Sequence, residues 1–178
     1  MKLFLGLGNP DQKYQSTRHN LGQMVIKTII ENSKLEIENY SKLSAQIAKH
    51  YQNLFAVSTE YMNRSGLTAQ KLLNFYKINP SDLYVIHDDL DLPVGEYRFQ
   101  FDRGPAGHKG IESLIEYLGT QAFNRIRIGI GHPRSAVASD VGDPVESYVL
   151  MPFSPEEKVL ISATIAKILP EINQLLGP

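Results

Sequence analysis

The chain has 178 residues, 42% of them hydrophobic and 21% charged, which suits one globular domain with a sizeable core. It has no cysteine, so disulfides, thiolate metal sites and cysteine nucleophiles are excluded, and a reducing, cytoplasmic setting is expected. The formal net charge of -1 gives no global pull on a polyanion, no apolar run reads as a membrane span, and the N-terminus lacks a signal-peptide cleavage pattern.

The elements alternate along the chain. "KLFLGLG" reads as a buried first strand that turns at Asn9-Pro10, and "LGQMVIKTIIENS" as a helix with Leu21, Met24, Val25, Ile29 and Ile30 on one face. "LSAQIAKHYQNLFAVSTE" reads as two strands joined near Gln52-Asn53. "SGLTAQKLLNFYKI" reads as an amphipathic helix stopped at Asn79-Pro80. "DLYVIHDD" is a short strand ending in acid. In "GEYRFQFD", Tyr97, Phe99 and Phe101 alternate with Glu96, Arg98 and Gln100 at the strand period. After the glycine-rich "GPAGHKG" come a helix, "IESLIEYLG", and a strand, "RIRIGIG". In the last helix Ser154, Pro155 and Glu157 form a capping box, and Pro170 is expected to kink or interrupt it. This order predicts a single α/β domain over residues 1–178, a three-layer sandwich with a twisted mixed β-sheet flanked by helices.

Charge is unevenly spread. From Arg98 to Arg134 there are six basic and three acidic residues, and from Ser135 onward two basic and six acidic. A local basic patch can meet phosphates on a neutral protein, although Arg125 and Arg127 could equally decorate the solvent face of a strand.

Gly6-x-Gly8 after the first strand invites a dinucleotide fingerprint. The third glycine is missing, since Asp11 holds its place, and Pro10 lacks the N–H that a phosphate would use. No G-x-S-x-G elbow occurs, so a hydrolase here would activate water. Five histidines are present, and His50 reads as structural. His19 follows the first strand, where active sites of α/β sheets gather, and Asp88 emerges at the end of "LYVI", able to accept an imidazole N–H and fix its tautomer. A metal site from His87, Asp88, Asp89 and Asp91 is disfavoured, because adjacent strand residues point to opposite faces. Asn63, at a helix start, could cap that helix or orient water and an oxyanion. "RGPAGHKGI" could be an anion-binding nest or a plain turn.

Five ordered stretches, "GLGNPDQKYQSTRHNLG", "EYMNRSG", "HDDLDLPVGEYRF", "GPAGHKGI" and "RIRIGIGHP", together resemble the bacterial peptidyl-tRNA hydrolase family from the first strand to about Phe153. The resemblance implies hydrolysis of the ester between peptide and tRNA, recycling tRNA from stalled translation. His19 would be the general base, with Asp88 orienting it and Asn63 holding the carbonyl or water. It places Asn9, Tyr14, Met62, His108 and Lys109 on the substrate, and Arg98, Arg103, Lys109, Arg127 and Arg134 on the tRNA. It implies no cofactor, no metal, no membrane, a cytoplasmic setting and a monomer. Three features depart from the family pattern. Lys109 stands where an asparagine is usual, Asp11 where many relatives have glycine, and the C-terminus is shorter than expected, which would remove basic surface. The alternative is a non-catalytic RNA-binding protein that keeps the fold, which Lys109 favours.

Overall fold

The computed structural model describes residues 1–133 and 144–177. Seven strands form one sheet: β1 (Leu3–Gly6), β2 (Ile37–Tyr40), β3 (Ala45–His50), β4 (Asn53–Ser58), β5 (Leu83–Asp89), β6 (Tyr97–Phe101) and β7 (Asn124–Gly129). Their order is β2-β3-β4-β1-β5-β7-β6. The central four run parallel, and β2, β3 and β6 pair antiparallel at the two sides, so the sheet is mixed as expected.

Alternation in β1 builds two cores. Leu3, Leu5 and Leu7 face α2 (Ser65–Tyr76) and α3 (Lys109–Leu118), together with Leu72 and Leu114. Phe4 faces α1 (Leu21–Asn32) and α5 (Pro155–Leu176), together with Val25, Ile26, Ile161, Ile168 and Ile172. The short α4 (Pro144–Val149) joins this second layer through Val149. The three-layer sandwich follows from these two faces.

The glycines of the first loop serve helix packing. A Cβ on Gly6 would lie 2.4 Å from the Gly22 carbonyl oxygen, and one on Gly22 would lie 2.0 Å from the Ile86 carbonyl oxygen. The start of α1 therefore rests directly on β1 and β5, which draws the residues just before it toward the end of β5.

One expectation changes, that of a break at Pro170. Pro170 lies within a continuous α5 on its exposed side, and Ala166, whose carbonyl it leaves without a helix partner, is exposed too. Phe99 and Phe101 alternate as a strand should, yet both are exposed, because β6 is an edge strand that α5 only partly covers. By length and composition α5 could cross a membrane, but its stripe of Ile161, Ile165, Ile168 and Ile172 packs on the sheet. The capping box at Ser154 and Glu157 is present as read.

Candidate active site

The site sits at the carboxyl ends of β1, β4 and β5, where chain leaves the parallel strands. After β1, Asn9 and Asn20 lock the loop. Asn9 N–H donates to Asn20 Oδ1, and Asn20 Nδ2 donates to the Asn9 carbonyl, both at 2.9 Å. After β4, the Met62 N–H donates to Asn9 Oδ1 at 2.9 Å, which leaves the Asn9 amide NH₂ as the outward donor. These bonds join the first two strand ends into one wall.

His19 lies in a 3-10 turn, Arg18–Asn20, leading into α1. Its Nδ1 is 3.0 Å from both oxygens of Asp88, which is 2% exposed near the end of β5. His108, the N-cap of α3, reaches the same carboxylate with Nε2 at 3.0 Å from Oδ1. Its Nδ1 accepts from the N–H groups of Gly110 and Ile111, so the ring proton is on Nε2 and points at Asp88. Asp88 thus receives two imidazole donors. The proton on His19 Nδ1 leaves Nε2 of that ring as the acceptor.

Electrostatics support this assignment. Burial opposes the charged form of both groups, but the Asp88 carboxylate raises the His19 imidazole above its ordinary value. The His19 and His108 rings hold Asp88 well below the usual carboxylate range. Burial keeps His87 neutral, with His108 adding to the effect.

These groups border a cavity of about 800 Å³. Asn9, Tyr14, His19, Met62, Asn63, Asp88, His108 and Lys109 all line it, so it gathers every residue proposed for catalysis or substrate contact. Leu90, Val145, Val149 and Leu150 add an apolar side, and Tyr61 stands at the rim, its hydroxyl donating to Asp11 Oδ2 at 2.9 Å. Asn63 is exposed and does not cap α2, which begins after Arg64 without a side-chain cap.

The metal quartet does not converge. His87 Nδ1 bonds the Asp88 carbonyl, Asp89 pairs with Arg127, and Asp91 pairs with His132. His19, Asp88 and His108 do bring three ligand-type atoms within 4.8 Å of one another. Both ring protons there point at Asp88, so a cation would have to displace them.

Residues 3–177 match the family model of peptidyl-tRNA hydrolase. The chain belongs to the peptidyl-tRNA hydrolase family. It is 42% identical over 171 residues to the peptidyl-tRNA hydrolase of Aquifex aeolicus (strain VF5), covering 94% of this chain and 85% of that one. Among solved structures it is similar to the peptidyl-tRNA hydrolase of Acinetobacter baumannii, with a TM-score of 0.89 and 29% identity, covering 97% of this chain and 87% of that chain. The Arg119Gln mutant from the same organism gives a TM-score of 0.88 and 30% identity, covering 97% and 86%.

Asp11 is extended, with φ -69 and ψ 144, so no left-handed geometry is asked of it. Lys109 is exposed at the first turn of α3 and pairs with Glu112 at 3.1 Å. The nest reading of "GPAGHKG" is corrected, since His108 itself takes the Gly110 and Ile111 N–H groups. Arg127 is 3% exposed, its Nε 2.7 Å from Asp89 Oδ2 and its Nη1 2.9 Å from Gln100 Oε1. That corrects both its solvent-face reading and its placement on the tRNA-facing surface, because the charge is spent on a buried carboxylate. Arg98 is exposed, Arg103 is half-buried, and Arg134 lies outside the described residues.

Sequence reasoning missed Arg18. Its guanidinium gathers the Met151 and Pro152 carbonyls at 3.2 and 3.0 Å and pairs with Glu157 at 2.7 Å. This ties the turn carrying His19 to the segment after α4. Its place beside His19 was the only signal in the sequence.

Proposed function

We propose that this chain hydrolyses the ester joining a peptide to the terminal ribose of tRNA, with His19 as general base. The observation that carries the reading is the Asp88 carboxylate receiving Nδ1 of His19, which leaves Nε2 basic in a residue that lines the cavity. Nε2 takes a proton from water as the oxygen attacks the ester carbon. The imidazolium, stabilised by Asp88, then protonates the departing ribose oxygen, giving a free peptide acid and free tRNA. The amides of Asn9 and Asn63 stabilise the tetrahedral oxyanion or bind the peptide backbone, which suits substrates of any peptide sequence. Tyr14 and Met62 pack against the peptide. No covalent intermediate is needed for an activated ester.

Arg98, Arg103 and Lys109, with Arg134 as a further candidate, bind tRNA phosphates and read shape in place of base edges. The chain acts as a monomer in the cytoplasm and returns tRNA to translation.

Incubation with peptidyl-tRNA in the presence of a chelator tests the reading. Release of free tRNA and peptide is expected. Binding of tRNA without release would favour the RNA-binding alternative.

A further inference from the structure

We propose that Arg125 is a positioning residue for catalysis, clamping from the interior the backbone of the loop that presents His108 to Asp88. The proposal rests on the reading of His19 and Asp88 as base and support.

Arg125 stands on β7 and is 2% exposed, so the basic charge that sequence counting offers to phosphates is turned inward. Its Nη1 donates to the Gly104 carbonyl at 2.9 Å and its Nη2 to the Arg103 carbonyl. The guanidinium lies 4.7 Å from the ring centroid of buried Phe123, and Nε is buried without a hydrogen-bond partner. No carboxylate meets this guanidinium among the described hydrogen bonds and ion pairs. Its donors go to two adjacent backbone carbonyls. A planar fork spans two carbonyls, whereas a lysine ammonium presents a single point.

The loop so held is one that would not keep its shape unaided. Asp102 and Ala106 have φ of 51 and 49, the left-handed region that non-glycine residues avoid, and Gly107 has φ 77. From the clamp the contacts run on without a gap. His108 N–H donates to the Pro105 carbonyl at 3.0 Å, His108 Nδ1 caps α3, and His108 Nε2 meets Asp88 at 3.0 Å. Pro105, Ala106 and Gly107 also line the cavity. Release of the two carbonyls would let the loop relax and withdraw His108 from Asp88.

The test is steady-state kinetics on peptidyl-tRNA for Arg125→Gln and Arg125→Lys, each in wild-type and His108→Ala backgrounds, with Tm recorded. Arg125→Gln is expected to lower kcat about 10- to 100-fold, as a displaced catalytic support does. The larger share of the loss should fall on kcat, with KM and the salt dependence shifting only as far as Arg103 and the cavity-lining residues of the same loop are moved, and the kcat loss should not recur once His108 is removed. Arg125→Lys keeps the stem and the charge, so it should fold normally and recover only part of kcat. Equal losses in both backgrounds, a raised KM with unchanged kcat, or wild-type kcat in either variant would overturn the proposal. His19→Ala run in parallel separates the two ideas, since full activity there sinks the reading of the base whatever Arg125 does.

Discussion

His19 and His108 approach Asp88 from two different loops, each placing a ring nitrogen 3.0 Å from Oδ1. An ionised carboxylate can accept both protons; a side-chain amide has one acceptor oxygen and presents its own donors to the other ring. Asp88→Asn should therefore disturb the His19 tautomer and lower kcat roughly 100-fold or more, yet less than loss of His19 itself. Steady-state hydrolysis of peptidyl-tRNA checks this, and wild-type kcat would show that the carboxylate is dispensable.

The pH profile carries the same signature. Asp88 raises the His19 imidazole above its ordinary value of about 6.5, and the base works only when unprotonated. kcat/KM should therefore climb as pH rises through a midpoint above about 6.5. Asp88 itself is held far below this window and should add no second step. Replacing Asp88 by Asn removes the raising influence, so the midpoint should move to lower pH. An acid limb that stays in place in that variant would detach it from His19.

The arginines divide by burial. Arg98 is exposed and Arg127 is not. Arg98→Ala should weaken substrate binding and flatten its salt dependence by about one phosphate contact. Arg127→Ala should instead cost roughly 3–5 kcal/mol of stability, because it strands Asp89 as an uncompensated buried charge. Salt-dependent KM and chemical denaturation distinguish them; normal stability of Arg127→Ala with a flattened salt slope would reverse the assignment.

The sequence made the parallel strands and their ends readable, because β1 and β5 are short apolar runs closed by turn and acid signals. That was enough to bring His19 and Asp88 together, since strand ends in such a sheet share one edge. The buried roles of Arg125 and Arg127 were not readable. "RIRIGIG" shows alternation, but only the pairing of β7 between β5 and β6, with Asp89 and the 103–104 carbonyls beside it, turns those side chains inward. The double duty of His108 was hidden for a similar reason: its capping role is local, while its contact with Asp88 spans elements far apart in sequence. The apolar side that Val145 and Val149 of α4 add to the cavity left no motif either, since the segment after α4 is tied to the His19 turn by Arg18, distant in sequence.

The most direct test of the central claim is single-turnover hydrolysis of peptidyl-tRNA by His19→Ala, with tRNA binding and thermal unfolding measured on the same preparation. The variant is expected to fold and bind tRNA like the wild type while peptide release falls by about 100- to 10,000-fold, the range a positioned general base supplies. Release at the wild-type rate by that folded, tRNA-binding variant would contradict the assignment of His19 as the base.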